Sequence, residues 1–563
     1  MSHPSDPKPA ALLSFKRVWS AVRQLDVQTW SACILVAVSM LYALRAAWFF
    51  HEVDAAVHFD EGYIAAFGER LIDGRFLPYV DAVSQRGPVL YWLAGVVQAV
   101  FGRFEWTGIR HLVFTCFVVS SLGVFVAGWA ARRPLTGAIG SLLFVTIMVG
   151  VLEEETVFGL LGEPVAIPFA VLSTAAVGYA MERASSNRSR WIWLAVGGAL
   201  SAIAGLTKQT YLPTIVPFVL WTVLDGLGSP PGRRLKSGLA TSGALLAGWT
   251  IPIAGVGLTY AIAGELHDFW YWFYRFNREV YMAPYDRAHA VRAFNEWLRK
   301  DAFLVAGLVM LVVHTLARAV SNAEGATGSL SRRLAMSAFP LVIAAELVIA
   351  VGGSLAPLRF WSQYYLPPVP WAALLLGWTL EGAATSRMRG TKSTWGVVTA
   401  VALLTAISVG FLESELHNWR RLEGRGRWAS AYPEPVCESL DRYTEKGDPI
   451  FIWGFDSDLY ITCRRRPASK YLYSTMIAGV VVPFWRDPRP EWVAENAHET
   501  LIAELTDQNV AVVIDSPDRA HGSSMREVKK LQALLNERYR RSGKLVAKDG
   551  RKMTLWVRKD LPE

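Results

Sequence analysis

Two adjacent carboxylates, Asp60 and Glu61 in HFDEGYIA (58–65), stand shortly after the first long apolar run of the chain. A carboxylate so placed can deprotonate a hydroxyl or amine as it attacks a displaced group, which is general-base chemistry. Further along, cations recur beside apolar runs: Arg86 in QRGP (85–88), Arg110 after GI, Lys208 in GLTKQTYLP (205–213) and Arg359 in LRFWSQYYLPPVP (358–370). Arginine meets a phosphate through paired hydrogen bonds and lysine meets it as a point charge. The set therefore fits a base that activates a nucleophile while cations take up charge on a phosphate.

Each residue also has a purely structural reading. Asp60 precedes a helical pattern with Ile64, Phe67 and Leu71 on one face and Gly74 at its end, where Asp caps a helix. Glu61 either complements the dipole of that helix or contacts substrate. Arg86 and Arg110 can snorkel toward head groups, and Glu163 in LLGEPVAIPF (160–169) can serve the first turn above Pro164. Lys208, followed by Gln209, is the sharper signal, since a phosphate counter-ion accounts for it as well as snorkelling does. Tyr364 and Tyr365 are either a substrate surface or part of an aromatic belt. The triplet Glu153 to Glu155 reads as a solvated loop, and His58 and His267 are isolated. No spacing compels a metal, so no cofactor is required and a divalent cation is left open.

The elements that must hold these residues are membrane helices. Of the 563 residues, 52% are AVILMFWYC, and apolar runs near the ~20 residues needed to cross a bilayer recur from Trp30 to Phe411. That excludes an ordinary soluble enzyme. The net charge of +9 sits mostly in loops between apolar runs, the pattern of membrane orientation and not of nucleic-acid binding. Membrane lipids with anionic head groups are the expected partners of those loops.

ARRP (131–134), ERASSNRSR (182–190), PPGRRLK (230–236), SLSRRL (329–334) and SRMRGTK (386–392) are rich in Arg and Lys and are expected to be cytoplasmic. Behind a cytoplasmic segment 1–29 without a cleaved signal peptide, spans are expected near 30–50, 109–131, 135–152, 164–181, 191–207, 211–225, 237–263, 302–320, 334–355, 364–381 and 394–413. That is about eleven crossings. Residues 88–104 then cannot cross, and they read as an interfacial or re-entrant helix opening at Pro88 and ending near Gly102. Residues 51–108 become one large external loop, and the candidate residues gather on that outer face. The loop 264–300 carries Arg275, Arg278, Arg287, Arg292 and Arg299 and fits the charge rule poorly.

The transmembrane part thus runs over 30–413. Residues 414–563 read as a small external α/β domain of roughly 150 residues, with strands at 450–454 and 510–516 and an amphipathic helix at 526–539. Cys33 and Cys116 fall in apolar runs as packing residues. Cys437 and Cys463 either pair in an oxidising compartment or remain free thiols.

On FDEGYIAAFGERLIDGRFLPYVDAVSQRGPVLYWL (59–93), TGIR (107–110), GEP (162–164), GLTKQT (205–210), RFWSQYYLPPVP (359–370) and the C-terminal tail, the chain resembles membrane glycosyltransferases of the GT-C superfamily. Within it, the similarity is to the family 39 group of protein O-mannosyltransferases and aminoarabinose transferases. The resemblance implies a multi-pass α-helical membrane protein with a large first external loop and a small C-terminal α/β domain. It also implies an inverting transfer of a sugar from a polyprenyl-phosphate donor to a lipid, glycan or protein acceptor. Asp60 would be the base and Glu61 its neighbour in the site, with Lys208, Arg86, Arg110 and Arg359 on the lipid phosphate. Glu163, Gln85, Gln209, Tyr364 and Tyr365 would contact substrate. The expected location is the bacterial inner membrane, with the site and tail outside. Gln85 departs from the aminoarabinose transferases, which carry an acidic residue tied to a metal there. The sugar-binding-like domain that protein O-mannosyltransferases insert between spans is missing.

Two other functions remain. A transporter or flippase of lipid-linked sugars would need paired repeats and polar groups at mid-depth. An assembly scaffold would use the bundle only as an anchor and could not survive deletion of 414–563.

Overall fold

The computed structural model describes residues 27–51, 59–150, 152, 154–228, 234–281, 291–292, 294–295, 298–299, 307–317, 338–357, 361–388, 434–480, 489–517, 523–546 and 552–562. The expected span 394–413, the N-terminal segment to residue 26, His58, Glu153 and Arg359 lie outside the described residues.

The long helices are α1 (Val27–His51), α4 (Trp106–Ala130), α5 (Pro134–Gly150), α6 (Gly162–Glu182), α7 (Asn187–Thr207), α8 (Ile215–Gly228), α9 (Arg234–Ile262), α10 (Ala338–Leu355) and α11 (Val369–Met388). Between α1 and α4 lie two shorter ones, α2 (Phe59–Asp73) and α3 (Pro88–Phe101). Seven described stretches are long and apolar enough to cross a bilayer: α1, α4, α6, α7, α9, α10 and Gln209–Leu227. The shorter α5 and the helical piece 307–317 stand where further spans were expected. α11 begins at Val369 and not at 364, because Pro367 and Pro368 lack the N–H needed to continue a helix from the turn before them.

Small residues set the closest helix contacts, as is usual where lipid supplies no hydrophobic drive between helices. A Cβ on Gly198 would collide with the Leu245 carbonyl of α9, and one on Gly248 with the Ala195 carbonyl of α7. Hydroxyls add a buried cross-link, with Ser39 of α1 2.8 Å from Ser141 of α5, itself 3.0 Å from Ser121 of α4.

α2 buries Ile64, Phe67 and Leu71, as its periodicity predicts. It is already helical at Phe59, two residues before the start that the capping reading requires, so Asp60 and Glu61 both lie in its first turn. α3 opens at Pro88 and stops at Gly102, whose φ of 120° only glycine adopts readily. At 14 residues it measures about 21 Å, short of the ~30 Å of a hydrocarbon core. It packs on α2, where Gly68 leaves no room for a Cβ beside Ala94 and Gly95.

The C-terminal domain carries β1 (Pro449–Trp453), β2 (Arg466–Pro467), β3 (Val512–Asp515), β4 (Tyr539–Val546) and β5 (Lys552–Arg558). They form one sheet in the order β2-β1-β3-β5-β4, parallel from β2 through β3 and antiparallel beyond. α12 (Glu434–Asp441), α13 (Asp458–Thr462), α14 (Ala497–Asp507) and α15 (Lys529–Arg538) complete it. β3 and α15 fall within the expected segments, and β1 starts one residue before the expected 450–454. Cys437 of α12 and Cys463, just past α13, form a disulfide with Cα atoms 5.1 Å apart.

Candidate functional site

One cavity gathers side chains from most of the elements singled out by the charges. Asp60 comes from the first turn of α2, Gln85 and Arg86 from the turn leading into α3, and Glu163 from the first turn of α6. Lys208 and Gln209 come from the break after α7, and Gln363 and Tyr364 from the short turn before α11. The cavity holds an empty volume of about 690 Å³, part of it open to solvent.

The local backbone explains the placement. Lys208 is extended (φ −143°, ψ 117°) between α7 and the 3-10 turn Gln209–Thr214, so its side chain leaves the bundle axis. Gly87 lies so close to the carbonyls of Leu206 and Thr207 that any Cβ would collide with them. That contact brings the Arg86 turn against the Lys208 break.

Two ion pairs face the cavity. Arg86 Nη2 lies 2.7 Å from Asp60 Oδ1, and Lys208 Nζ lies 2.7 Å from Glu163 Oε1. All four side chains are largely buried, at 14%, 14%, 15% and 3% exposure in that order. Burial is the largest single effect and opposes the charge on Arg86, but Asp60 together with Tyr91, Tyr473 and Tyr63 outweighs it and holds the guanidinium well above its ordinary pKa. Lys208 also stands 5.3 Å above the Tyr364 ring, and Tyr364 shares a hydroxyl contact of 3.0 Å with Tyr281.

Glu61 and Arg110 do not line the cavity. Successive residues on a helix point about 100° apart, and Glu61 turns inward to meet Arg110 of α4. The two side chains are 0% and 1% exposed and form a bidentate pair at 2.7 and 2.8 Å. The Leu160 N–H donates to Glu61 Oε1 at 2.9 Å, and Arg110 also donates to the Phe158 carbonyl at 3.3 Å. The pair forms a buried strut behind the site, and neither side chain reaches the cavity lining expected of Glu61 in the chemistry and Arg110 on the phosphate. Tyr365 also stands outside the lining.

Residues that the sequence reading missed complete the wall: Thr210, Asn277, Tyr281 and Trp361. Asn277 donates to the Gln85 carbonyl at 2.6 Å and Gln209 donates to it at 2.9 Å. Asn277 and Tyr281 belong to a π-helical stretch of the 264–300 loop, an element that recurs at functional sites. The poor fit of that loop to the charge rule was the available signal. Glu346, the one acid in α10, is fully buried outside the cavity lining.

Among the described residues no group of three or more His, Cys, Asp or Glu can hold a metal ion. Both carboxylates of the cavity face cations, and Gln85 is neutral. This donor set does not fit a metal centre, and no reaction step is routed through one.

No family model and no curated protein matches the chain. Solved structures do. ArnT from Cupriavidus metallidurans bound to undecaprenyl phosphate is 16% identical, with 96% of this chain and 100% of that chain covered at a TM-score of 0.54. The apo form of the same protein gives 15%, 94% and 98% at 0.48. Archaeal oligosaccharyltransferase AglB from Archaeoglobus fulgidus, in complex with an inhibitory peptide and a dolichol-phosphate, gives 13%, 95% and 75% at 0.47. At the coverage and TM-score of the first of these the chain shares the overall fold of the ArnT structure.

Proposed function

We propose that the chain is an inverting glycosyltransferase that moves a sugar from a polyprenyl phosphate to a lipid, glycan or protein acceptor. The observation that carries this reading is the pairing of two carboxylates with two cations around one cavity at the helix ends. The likeness in fold to a protein solved with undecaprenyl phosphate supports a lipid-phosphate donor.

In this mechanism Asp60 takes the proton of the acceptor hydroxyl or amine as that group attacks the anomeric carbon. The bond from that carbon to the phosphate oxygen breaks, and its electron pair leaves with the phosphate. Lys208 and Arg86 neutralise the charge developing there. The products are the glycosylated acceptor and the free polyprenyl phosphate, and the proton passes from Asp60 to solvent. An arriving phosphate competes with Glu163 for Lys208 and with Asp60 for Arg86, so donor binding frees the carboxylates for the sugar and the acceptor. The strut Glu61–Arg110 holds the first turn of α2 and with it Asp60.

The site lies at the ends of α6, α7 and α10 and not at mid-depth, which supports an enzyme over a transporter. The charge distribution of the loops supports an orientation with the cavity outside, and the proposed location is a bacterial inner membrane. Incubating purified protein with a panel of labelled polyprenyl-phosphate sugars and measuring release of lipid phosphate tests the reading. Release that Asp60→Asn abolishes supports it; release unaffected by that change removes Asp60 as the base.

A further inference from the structure

The turn 83–86 carries Arg86 to the cavity and is held by tyrosine hydroxyls on several sides. Tyr63 donates to the Val83 carbonyl at 2.6 Å, Tyr79 donates to the Arg86 carbonyl at 2.6 Å, and Tyr91 bonds the Ser84 hydroxyl. These three belong to the α1–α4 connection itself. A fourth comes from the C-terminal domain: Tyr473 donates to Gln85 Oε1 at 3.0 Å, and its ring lies edge-on to Tyr63 with centroids 4.2 Å apart. Phe455 stacks behind that ring at 5.2 Å.

The seating of the domain is equally close elsewhere. Gly62, next to Glu61, touches Asp458 at the start of α13 so tightly that any Cβ would strike its backbone. The Val83 N–H donates to the Lys470 carbonyl at 2.9 Å. Around this centre Arg464 pairs with Glu105 at 2.9 Å and Arg466 with Asp73 at 3.2 Å.

We propose that the C-terminal domain backs the site from behind its lining, with Tyr473 as a positioning residue that sets the Gln85 amide. This rests on the glycosyltransferase reading above and adds a role for the tail. A donor fixed on Oε1 leaves the Gln85 NH2 as the end offered to the cavity, where it meets an oxygen of the sugar or phosphate. The same contact steadies the turn that presents Arg86 to Asp60. Deleting residues 414–563 removes Tyr473 too, so loss of activity on deletion no longer distinguishes a scaffold from an enzyme.

The test is a double-mutant cycle in full-length protein with Tyr473→Phe, Gln85→Ala and the pair, alongside Tyr443→Phe, whose hydroxyl bonds Ser542 in the same domain away from the cavity. Tyr473→Phe should lower kcat/KM about tenfold, Gln85→Ala should lower it at least as much, and the pair should be no worse than Gln85→Ala alone. Tyr443→Phe should match wild type. Unchanged kinetics in Tyr473→Phe, or losses that add in the pair, overturn the proposal. If the wild type releases no lipid phosphate from any donor, the glycosyltransferase reading fails. Hydrogen exchange of residues 82–87 in the folded protein then decides the positioning role by itself. Exchange faster in Tyr473→Phe and unchanged in Tyr443→Phe supports it, and equal exchange in all three overturns it.

Discussion

Arg86 and Asp60 meet at 2.7 Å across the cavity although one precedes α3 and the other opens α2. The guanidinium aims the carboxylate, and a phosphate is the natural competitor for it. Asp60→Asn keeps the shape and removes the base, so transfer should fall by roughly 10²–10⁴-fold with donor binding retained. Single-turnover kinetics on wild type and variant would separate the two quantities.

Lys208 and Glu163 form the second pair. Lys208→Met should weaken inhibition by free polyprenyl phosphate about 10–100-fold, the range of a lost charge-assisted hydrogen bond. Lys208→Arg should recover part of it. Inhibition constants that do not move with Lys208→Met would place the phosphate elsewhere.

The strut Glu61–Arg110 predicts a stability defect of a different kind. Arg110→Met leaves a buried carboxylate without its counter-charge and should destabilise the fold by about 3–5 kcal/mol. Unfolding in detergent would measure it, and the double variant Glu61→Gln with Arg110→Met should recover part of the loss. A single Glu61→Gln variant that is fully stable yet inactive would restore Glu61 to the chemistry.

The disulfide closes a loop of 26 residues between α12 and the end of α13. Cys437→Ser should cost the C-terminal domain about 2–4 kcal/mol. Because Arg464 and Arg466 follow Cys463 directly, reduction should also loosen the grip on Glu105 and Asp73. Limited proteolysis with and without reductant would report both.

Asp73 gives the seating a pH dependence. Burial alone would raise its pKa, but hydrogen bonds from Arg103 and Arg466 outweigh that and hold the carboxyl below its ordinary 3.8. A depressed acid contributes stability above its unfolded pKa and loses it as pH falls through the folded one. The seating should therefore hold at pH 5 and weaken below 3.8, and Asp73→Asn should abolish that dependence. Hydrogen exchange across the two domains, followed against pH, would measure the change.

Much of this was legible in the sequence because periodicity and charge are local signals. The apolar face of α2, the Pro88 start and Gly102 stop of α3, and strands β1 and β3 all follow from residues close together. Asp60, Arg86, Glu163 and Lys208 were legible too, since each is an ionisable group at the edge of an apolar run. What escaped depends on three-dimensional phase. Asp60 and Glu61 look equivalent in the sequence, but one helical step sends the first into the cavity and the second into the core. The short β2 has only two residues, too few for a pattern, and β4 alternates weakly because only Tyr539 among its residues is buried. Asn277 and Tyr281 sit in a π-helical stretch that no 3.6-residue pattern announces. Tyr473 lies 388 positions from Gln85, and nothing local marks it.

The contact between Gly62 and Asp458 also counts membrane crossings. Two segments that touch outside the bilayer lie on the same side of it, so the chain between them must cross an even number of times. A connection with one crossing more or fewer would strand Tyr473 on the opposite side from Gln85, whatever the quality of its helices. Assembly is constrained in time as well, because the turn before α3 enters the membrane early and waits for a partner made near the end of the chain. The hydrogen bond that steadies Gln85 can therefore form only once Tyr473 has been made, and a chain released before that carries Asp60 without it.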